Sequence, residues 1–289
     1  LARVGHALPP GPPRSPRPDG RRVLTIMSQG YDTGGHTRLA CQWMALDRNS
    51  THTLVLSQQN TIPVPDMVSD LAKRGQITLV VLEDDSSTKR IAALRRLLSD
   101  ADAVVLQIHP NDPLPVAALA GMESPPPVLL DDHANHVFWI GASVTNLLVS
   151  LHADGMRIAT ERRGIPRSHM AALRPAIEHP AIDPARAGEI RARHGIPPDA
   201  TLLVSCGAPY KYIPIEGQSL ASLLAPVLAE RADVHLLLIG PRHDPPGTSL
   251  AADYPVLGHL AVFVSDVDEL FATYAACDVY LDSFPFAYG

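Results

Sequence analysis

The stretch Val23-Leu-Thr-Ile-Met-Ser-Gln-Gly-Tyr-Asp-Thr-Gly-Gly-His-Thr37 shows the pattern that organises the chain. The apolar run Val23–Met27 predicts a short strand. A polar loop containing three glycines follows it, and a helical pattern then continues through Leu46. Glycine permits backbone conformations that other residues avoid and lets a ligand approach the chain closely. A strand, a glycine-containing loop and a helix in this order indicate the βα unit of an α/β domain.

The same alternation of strand and helix continues along the first half of the chain. Further strands are predicted at 53–57, 77–82, 103–108 and 128–130, and helices at 63–74, 89–98 and 114–120. The strands are rich in Val, Ile and Leu without alternation, which is typical of a parallel sheet covered on both faces. Residues 1–21 contain six prolines and four arginines among few apolar residues, and predict a disordered tail.

The βα pattern restarts after a proline-containing link at 166–184. Predicted helices at 184–194, 220–231 and 267–276 alternate with strands at 201–205, 234–239, 262–264 and 279–281. The sequence therefore predicts an α/β protein of two Rossmann-like, doubly wound domains, at 22–181 and 182–289, with a cleft between them.

Composition excludes several classes of protein. A formal net charge of -6 disfavours nucleic acid as a partner, and no apolar run has the length of a transmembrane helix. Three widely spaced cysteines in 289 residues do not form a disulfide framework. We expect a cytoplasmic protein on this basis, since such cysteine usage fits a reducing compartment.

Histidines follow three of the predicted strands of the first domain. Gly34, Gly35 and His36 follow the first of these strands, and His109 follows the strand at 103–108. The strand at 128–130 is followed by Asp131, Asp132, His133 and His136. The carboxyl ends of parallel strands share one edge of the sheet, which is where ligands bind in such domains. Histidine exchanges a proton close to neutral pH and can also donate to a phosphate.

Two further interpretations of this region stay open. His133 and His136 could join Asp131 or Asp132 around a metal ion, but no metal motif such as H-E-x-x-H occurs, so no metal is predicted. The neighbouring Phe138 and Trp139 could form a stacking wall for a sugar or base, or could pack in the core.

The second domain carries its polar groups at corresponding positions. Lys211 lies in Cys206-Gly-Ala-Pro-Tyr-Lys-Tyr-Ile-Pro214, and Arg242 follows the strand ending at Ile239. Lysine places a point charge on a long stem and can reach phosphate oxygens. Tyr210 and Tyr212 could stack on a ligand or pack. No G-x-G-x-x-G pattern occurs, so a nicotinamide cofactor is not expected.

In this order, the segments resemble those of sugar-nucleotide-dependent glycosyltransferases of the GT-B type. "GGH" resembles the first loop of these enzymes, and Tyr210-Lys-Tyr-Ile-Pro214 resembles the "YK(I/L)xP" loop of O-linked N-acetylglucosamine transferase-like enzymes. Ile239-Gly-Pro-Arg242 resembles the element near the nucleotide, and Leu281-Asp-Ser-Phe-Pro285 resembles the "LD(S/T)FP" loop.

The resemblance implies hexosyl or N-acetylhexosaminyl transfer from a nucleotide-linked donor, with UDP as the expected nucleotide, to a protein, glycan or lipid acceptor. It implies no cofactor and no metal. His36, His133 and His136 would act as acid–base groups. Gly34, Gly35, His109, Lys211, Tyr212, Arg242 and Asp282 would bind the substrates, with Lys211 on the donor diphosphate.

One departure from the family concerns the last residues. The phosphate-binding helix expected after "LDSFP" and the acidic ribose contact beyond it do not occur before Gly289. We therefore expect an incomplete second domain, a C-terminally truncated chain and weak or absent binding of nucleotide sugar. The alternatives are a sugar-nucleotide 2-epimerase of the same fold, and an inactive truncated protein that binds sugar nucleotide.

Overall fold

The chain divides into two compact units, Leu1–Ile177 and Glu178–Gly289, in a computed structural model. Besides the isolated Ala7, the structure describes residues 20–32, 35–135, 137–173, 184–207, 209–239, 261–263 and 267–287.

Unit 1 is built on a parallel seven-stranded sheet of order β3-β2-β1-β4-β5-β6-β7. Its strands are β1 (Arg21–Met27), β2 (Ser50–Leu56), β3 (Ile77–Val81), β4 (Ala103–Gln107), β5 (Val128–Asp132), β6 (Leu147–Ser150) and β7 (Met170–Ala172). Its helices are α1 (Gly35–Leu46), α2 (Asp66–Lys73), α3 (Ser87–Asp100), α4 (Pro113–Ala120) and α5 (Ala153–Arg163). Short 3-10 turns occupy Ala142–Val144 and Arg167–His169. The reversal of strand order beside β1 makes this a doubly wound sheet.

Three elements of unit 1 escaped sequence reasoning: β6, α5 and β7. β6 and β7 have only four and three residues, and α5 carries five charged residues among eleven, so periodicity was too weak to reveal them. The predicted link at 166–184 was wrong in its first part, which holds a 3-10 turn and β7. β1 also begins at Arg21, one residue inside the predicted tail.

Helices cover the sheet on both faces. On one face, α3, α4 and α5 bury alternate residues of the central strands, among them Leu24, Leu106 and Leu130. On the other face, α1 and α2 pack over Met27, Leu54 and Leu56. Beside α1, near the amino ends of β1, β4, β5 and β6, lies an apolar cavity of about 370 Å³, whose walls include Val23, Trp43, Val105, Leu129 and Leu147.

Asp112 joins three elements at the carboxyl edge of unit 1. Its Oδ2 accepts hydrogen bonds of 2.7 Å from Ser28, which follows β1, and from Ser57, which follows β2. Its Oδ1 accepts from the Leu114 N–H and so caps α4. The Ser28 hydroxyl also accepts from the backbone N–H of His109, at 2.8 Å. One buried carboxylate therefore fixes the ends of two strands, a helix and a histidine loop.

Unit 2 has a parallel four-stranded sheet of order β10-β9-β8-β11. Its strands are β8 (Thr201–Cys206), β9 (Val234–Ile239), β10 (Ala261–Phe263) and β11 (Val279–Leu281), and its helices are α6 (Pro184–Arg193), α7 (Leu220–Glu230) and α8 (Val267–Ala276). α6 and α8 pack on one face and α7 on the other. The predicted α/β class with two parallel sheets is confirmed.

We predict that Asp112→Ala destabilises unit 1 by about 2–4 kcal/mol. The substitution removes a helix cap, which is typically worth about 1 kcal/mol, and leaves two buried hydroxyls without their acceptor. Urea unfolding followed by tryptophan fluorescence reports this unit, because Trp43 and Trp139 both lie in it. As a control, Ser86→Ala removes the exposed cap of α3 and should cost only about 0.5–1 kcal/mol. Equal costs for the two variants would contradict the role of the buried network.

We also predict that Gly155→Ala destabilises unit 1, by about 1–3 kcal/mol. A Cβ at Gly155 in α5 would clash with the Ser150 Oγ and lie 3.2 Å from the Asp132 Oδ2, so the buried end of β6 would have to shift. Gly188 is the matched control: it lies in α6 of unit 2, and an added Cβ would meet nothing within 4 Å. Gly188→Ala should leave the tryptophan transition unchanged. An unchanged tryptophan transition for Gly155→Ala would contradict this prediction.

Candidate functional site

Four aromatic rings cluster at the carboxyl edge of unit 1. The His36 and His133 rings stack with centroids 5.5 Å apart, and Tyr31 stacks on His109 at 6.1 Å. His36 links the two pairs, with centroids 5.8 Å from Tyr31 and 6.3 Å from His109. Three of the predicted histidines therefore meet, although His36 lies at the start of α1 and the other two follow β4 and β5.

The loop after β1 is held by side-chain amides. The Gln59 side chain forms two hydrogen bonds with the backbone of Gly30. Its Oε1 accepts from the Gly30 N–H at 2.8 Å, and its Nε2 donates to the Gly30 carbonyl at 3.1 Å. The Gln29 carbonyl lies 3.1 Å from the Nε2 of His36, and the Tyr31 N–H donates to the Thr37 hydroxyl at 3.0 Å. These bonds hold Tyr31 and His36 beside the start of α1.

Burial decides the charge of these imidazoles. It lowers the pKa of His36, against the opposing effect of the hydrogen bond with the Gln29 carbonyl. The pKa of His109 is also lowered, by burial and then by the neighbouring His36, while Asp112 opposes the shift. Both rings are therefore neutral at pH 7 and able to accept a proton.

Two buried carboxyls lie behind the cluster at the end of β5. Burial raises the pKa of Asp131 to about 7, where a hydrogen bond from Gln107 opposes the shift and the charge of Asp132 adds to it. Burial also raises the pKa of Asp132 to about 6, against the attraction of Arg163, whose Nη1 lies 3.7 Å from its Oδ1. Carboxyls that hold their protons this close to neutrality are typical of functional sites.

Phe138 and Trp139, two neighbours in sequence, take different places. Trp139 is buried in the core, with the Arg163 guanidinium 4.3 Å from its ring centroid. Phe138 is 80% exposed. Of the two sequence interpretations, core packing therefore holds for Trp139, and only Phe138 is free to contact a ligand.

Lys211 lies at the carboxyl edge of unit 2, in the 3-10 turn Pro209–Tyr212 that follows β8. It is only 7% exposed, and burial lowers its pKa, against the attraction of Asp282 and Cys206. A Cβ at Gly207 would lie 3.2 Å from the lysine stem and 3.3 Å from Ser283, so glycine allows the two loops to approach. A lysine held in this way differs from an ordinary solvated loop lysine.

The loop after β11 closes against the lysine turn. Leu281 pairs with Ser205 in the sheet, so Asp282 follows at the same edge as Lys211. The Ser283 hydroxyl donates to the Phe286 carbonyl at 2.6 Å, and the Phe286 N–H donates to the Lys211 carbonyl at 3.5 Å. The two loops therefore form one hydrogen-bonded surface.

The placement of Tyr212 differs from the predicted ligand contact. It is 1% exposed, packs among the apolar residues under α7, and has its hydroxyl 3.1 Å from the Ser205 Oγ. This placement fits the second of the two alternatives that the sequence left open for Tyr212, packing of the aromatic ring. Tyr210, in contrast, is 54% exposed and pairs with Phe286 at 6.3 Å.

Three predicted site residues, Gly34, His136 and Arg242, lie outside the described residues. Gly35 is described and exposed at the first position of α1. In the described part of the chain, no three His, Cys, Asp or Glu side chains come together as a metal site would require. The described helices include none that is long and apolar enough to cross a membrane.

Gln107, Asp112 and Arg163 support the site, yet sequence reasoning missed their roles. Gln107 ends an otherwise apolar strand, and a polar residue there was the available signal. Asp112 precedes Pro113, which indicates a helix cap but not its two serine partners. No local pattern indicates the role of Arg163, because its partners Trp139 and Asp132 lie far from it in the sequence.

No family model and no curated protein matches the chain. Solved structures do. HepE of Anabaena, solved with UDP and glucose, superposes with a TM-score of 0.65 at 12% identity, over 92% of this chain and 76% of its own. A glycosyltransferase of Rickettsia africae superposes with a TM-score of 0.62 at 14% identity, over 90% of this chain and 72% of its own. The O-GlcNAc transferase of Thermobaculum terrenum superposes with a TM-score of 0.60 at 16% identity, over 99% of this chain and 53% of its own.

The chain thus spans about three quarters of the length of the first two of these enzymes. The proteins of Rickettsia africae and Thermobaculum terrenum are glycosyltransferases by name, and the expected resemblance to GT-B proteins is confirmed at the level of structure. At such low identity the likeness establishes architecture and not activity. The protein has the GT-B fold.

Proposed function

We propose that this protein is a glycosyltransferase that takes a sugar from a nucleotide-linked donor, with UDP as the nucleotide. The observation that carries the proposal is Lys211, a nearly buried cation at the carboxyl edge of unit 2, in a chain with the GT-B fold. HepE, one of the proteins with this fold, was solved with UDP-glucose. The sugar itself is proposed only as a hexose or N-acetylhexosamine.

Unit 2 would hold the donor. Its lysine turn is joined to the loop after β11 by a backbone hydrogen bond, and the Lys211 side chain is nearly buried, so that a diphosphate would meet a cation with little freedom to move. A preorganised charge in a dry site stabilises a leaving diphosphate better than a solvated charge does, because little reorganisation accompanies the reaction. Asp282 balances Lys211 in the absence of the anion, and the exposed Tyr210 offers a face for the sugar or base.

Unit 1 would bind the acceptor and supply the base. Its cluster of His36, His109 and His133 contains at least two rings that burial keeps neutral at pH 7, and a neutral imidazole can take the proton of a hydroxyl. Among the described residues we assign the acid–base role to His36 and His133 and a binding role to Gly35 and His109. Metal independence and a cytoplasmic location stay predictions from the sequence.

The test of this function is Lys211→Ala. We predict that the substitution weakens UDP binding and lowers transfer by roughly 10²–10³-fold, the loss that follows removal of one electrostatic contact to a developing oxyanion, about 2.7–4 kcal/mol. Binding is measured by titration calorimetry with UDP, and turnover by release of UDP from UDP-glucose and from UDP-N-acetylglucosamine.

Two matched variants make the result specific. Lys89→Ala removes an exposed lysine that pairs with Asp84 in unit 1, and should change neither measurement. Lys211→Arg keeps the charge but not the shape that fits beside Gly207, and should retain part of the binding. If Lys211→Ala, folded by circular dichroism, binds UDP as the unsubstituted chain does, the donor site lies elsewhere and the proposal is wrong.

A further inference from the structure

Arg163 reaches from the end of α5 into the loop that follows β5. It is the last residue of the helix, which ends at Gly164 with a left-handed backbone (φ 67°). Its Nη2 donates to the backbone carbonyls of Val137, at 2.6 Å, and of Asn135, at 3.4 Å. One side chain therefore bonds two points of a loop that precedes it by 26 to 28 residues.

The rest of the same guanidinium also contacts protein. Its central carbon lies 4.3 Å from the centroid of Trp139, the buried ring at the far end of the loop. Its Nη1 lies 3.7 Å from the Oδ1 of Asp132, the last residue of β5. The Arg163 side chain is only 10% exposed as a result. A planar guanidinium can stack on a ring while several donors at its edge make hydrogen bonds, and the point charge of lysine lacks this shape.

The loop held in this way carries two side chains of the carboxyl edge. His133, at its start, stacks on His36 with centroids 5.5 Å apart. Phe138 is 80% exposed, although both of its sequence neighbours are held by Arg163, Val137 through its carbonyl and Trp139 through its ring. The exposed aromatic ring therefore projects from a part of the loop whose backbone is fixed.

We propose that Arg163 is the positioning residue that holds the loop after β5 in one conformation, so that His133 and Phe138 keep their places on the acceptor side before a substrate binds. The described residues of this loop are 133–135 and 137–139. The role on the acceptor side rests on the glycosyl transfer proposed above. Arg163 acts through the loop and does not itself touch the substrate.

The two ends of the loop are fixed independently of Arg163. At one end, Asp132 pairs with Ser150 in the sheet. At the other end, the Ile140 N–H donates to the Pro110 carbonyl at 2.9 Å. Arg163 adds order in the middle of the loop, next to the exposed aromatic ring. A loop that is ordered before binding does not have to be ordered by its ligand, so the affinity is not lowered by that loss of entropy.

Three variants separate this role from a general effect on the fold. Arg163→Met keeps a flexible, unbranched side chain that can lie on Trp139, but it removes the charge and the donors. Arg163→Lys keeps the charge and loses the planar fork. Arg162→Met is the matched control, because Arg162 is the neighbouring arginine of α5 and its side chain is exposed.

The first measurement needs no substrate. Backbone order parameters are obtained from ¹⁵N relaxation of the full chain, in which we expect about 0.85 for Val137 and Phe138, as for rigid backbone. In Arg163→Met both should fall below about 0.6, while Arg163→Lys should give intermediate values and Arg162→Met should match the unsubstituted chain. Leu129 and Leu130 of β5 should stay rigid in all four proteins. Loop values that are equal in all four, or a loss of order that extends into β5, would overturn the inference.

The second measurement separates kcat from KM, with UDP-glucose as the probe and release of UDP as the signal. Arg163→Met should lower kcat by roughly 10–100-fold, the loss expected when the groups of a site are misplaced by about 1 Å. The KM for UDP-glucose should change by less than about twofold, because the proposed donor site lies in unit 2. Arg163→Lys should recover part of kcat. An unchanged kcat in Arg163→Met, or a KM that rises without loss of kcat, would contradict the positioning role.

The outcomes separate this inference from the proposed function. If Lys211→Ala abolishes UDP binding while the loop stays rigid in Arg163→Met, the glycosyl transfer stands and the positioning role falls. If Lys211→Ala leaves UDP binding unchanged while the loop loses its order in Arg163→Met, Arg163 still holds the loop and the glycosyl transfer falls.

Discussion

The buried carboxylate of Asp112 is the constraint on which the first unit's functional edge depends. It accepts from the hydroxyls of Ser28 and Ser57 and caps α4, and Ser28 in turn accepts from the backbone of His109. Parallel strands place their loops at one edge but do not fix where each loop goes. A single charged acceptor with three donors provides that fixation, because leaving any of these donors unpaired in the interior is costly.

In unit 2, close packing fixes the positions of the loops at the carboxyl edge of the sheet. Gly207 has no side chain, so the lysine turn and the loop after β11 come into contact, and a hydrogen bond from the Phe286 N–H to the Lys211 carbonyl joins them. The cost is a lysine removed from water, which burial alone would disfavour. The nearby Asp282 offsets part of that cost, and a diphosphate would offset more of it. A nearly buried cation beside a carboxylate is the group that the proposed donor site would use.

The fold was predictable because its signals are local. Apolar runs such as Val23–Met27 and Val234–Ile239 have the composition of buried parallel strands, and both are strands in the structure. β6, β7 and α5 gave no such signal, since two are very short and the third is mostly polar. For Tyr212 the sequence left ligand contact and packing both open, and its ring packs in the core under α7.

By itself, the sequence determined the α/β class, two parallel sheets, and the placement of His36, His109, His133 and Lys211 at carboxyl strand ends. These follow from the periodicity of burial and from the polarity of parallel strands. Only the tertiary structure decided that the His36 ring stacks on His133 and lies beside His109, that Gln107 and Asp131 lie next to His133, and that Lys211 is nearly buried. Contacts between residues far apart in sequence depend on the packing of whole elements, and no local pattern encodes them.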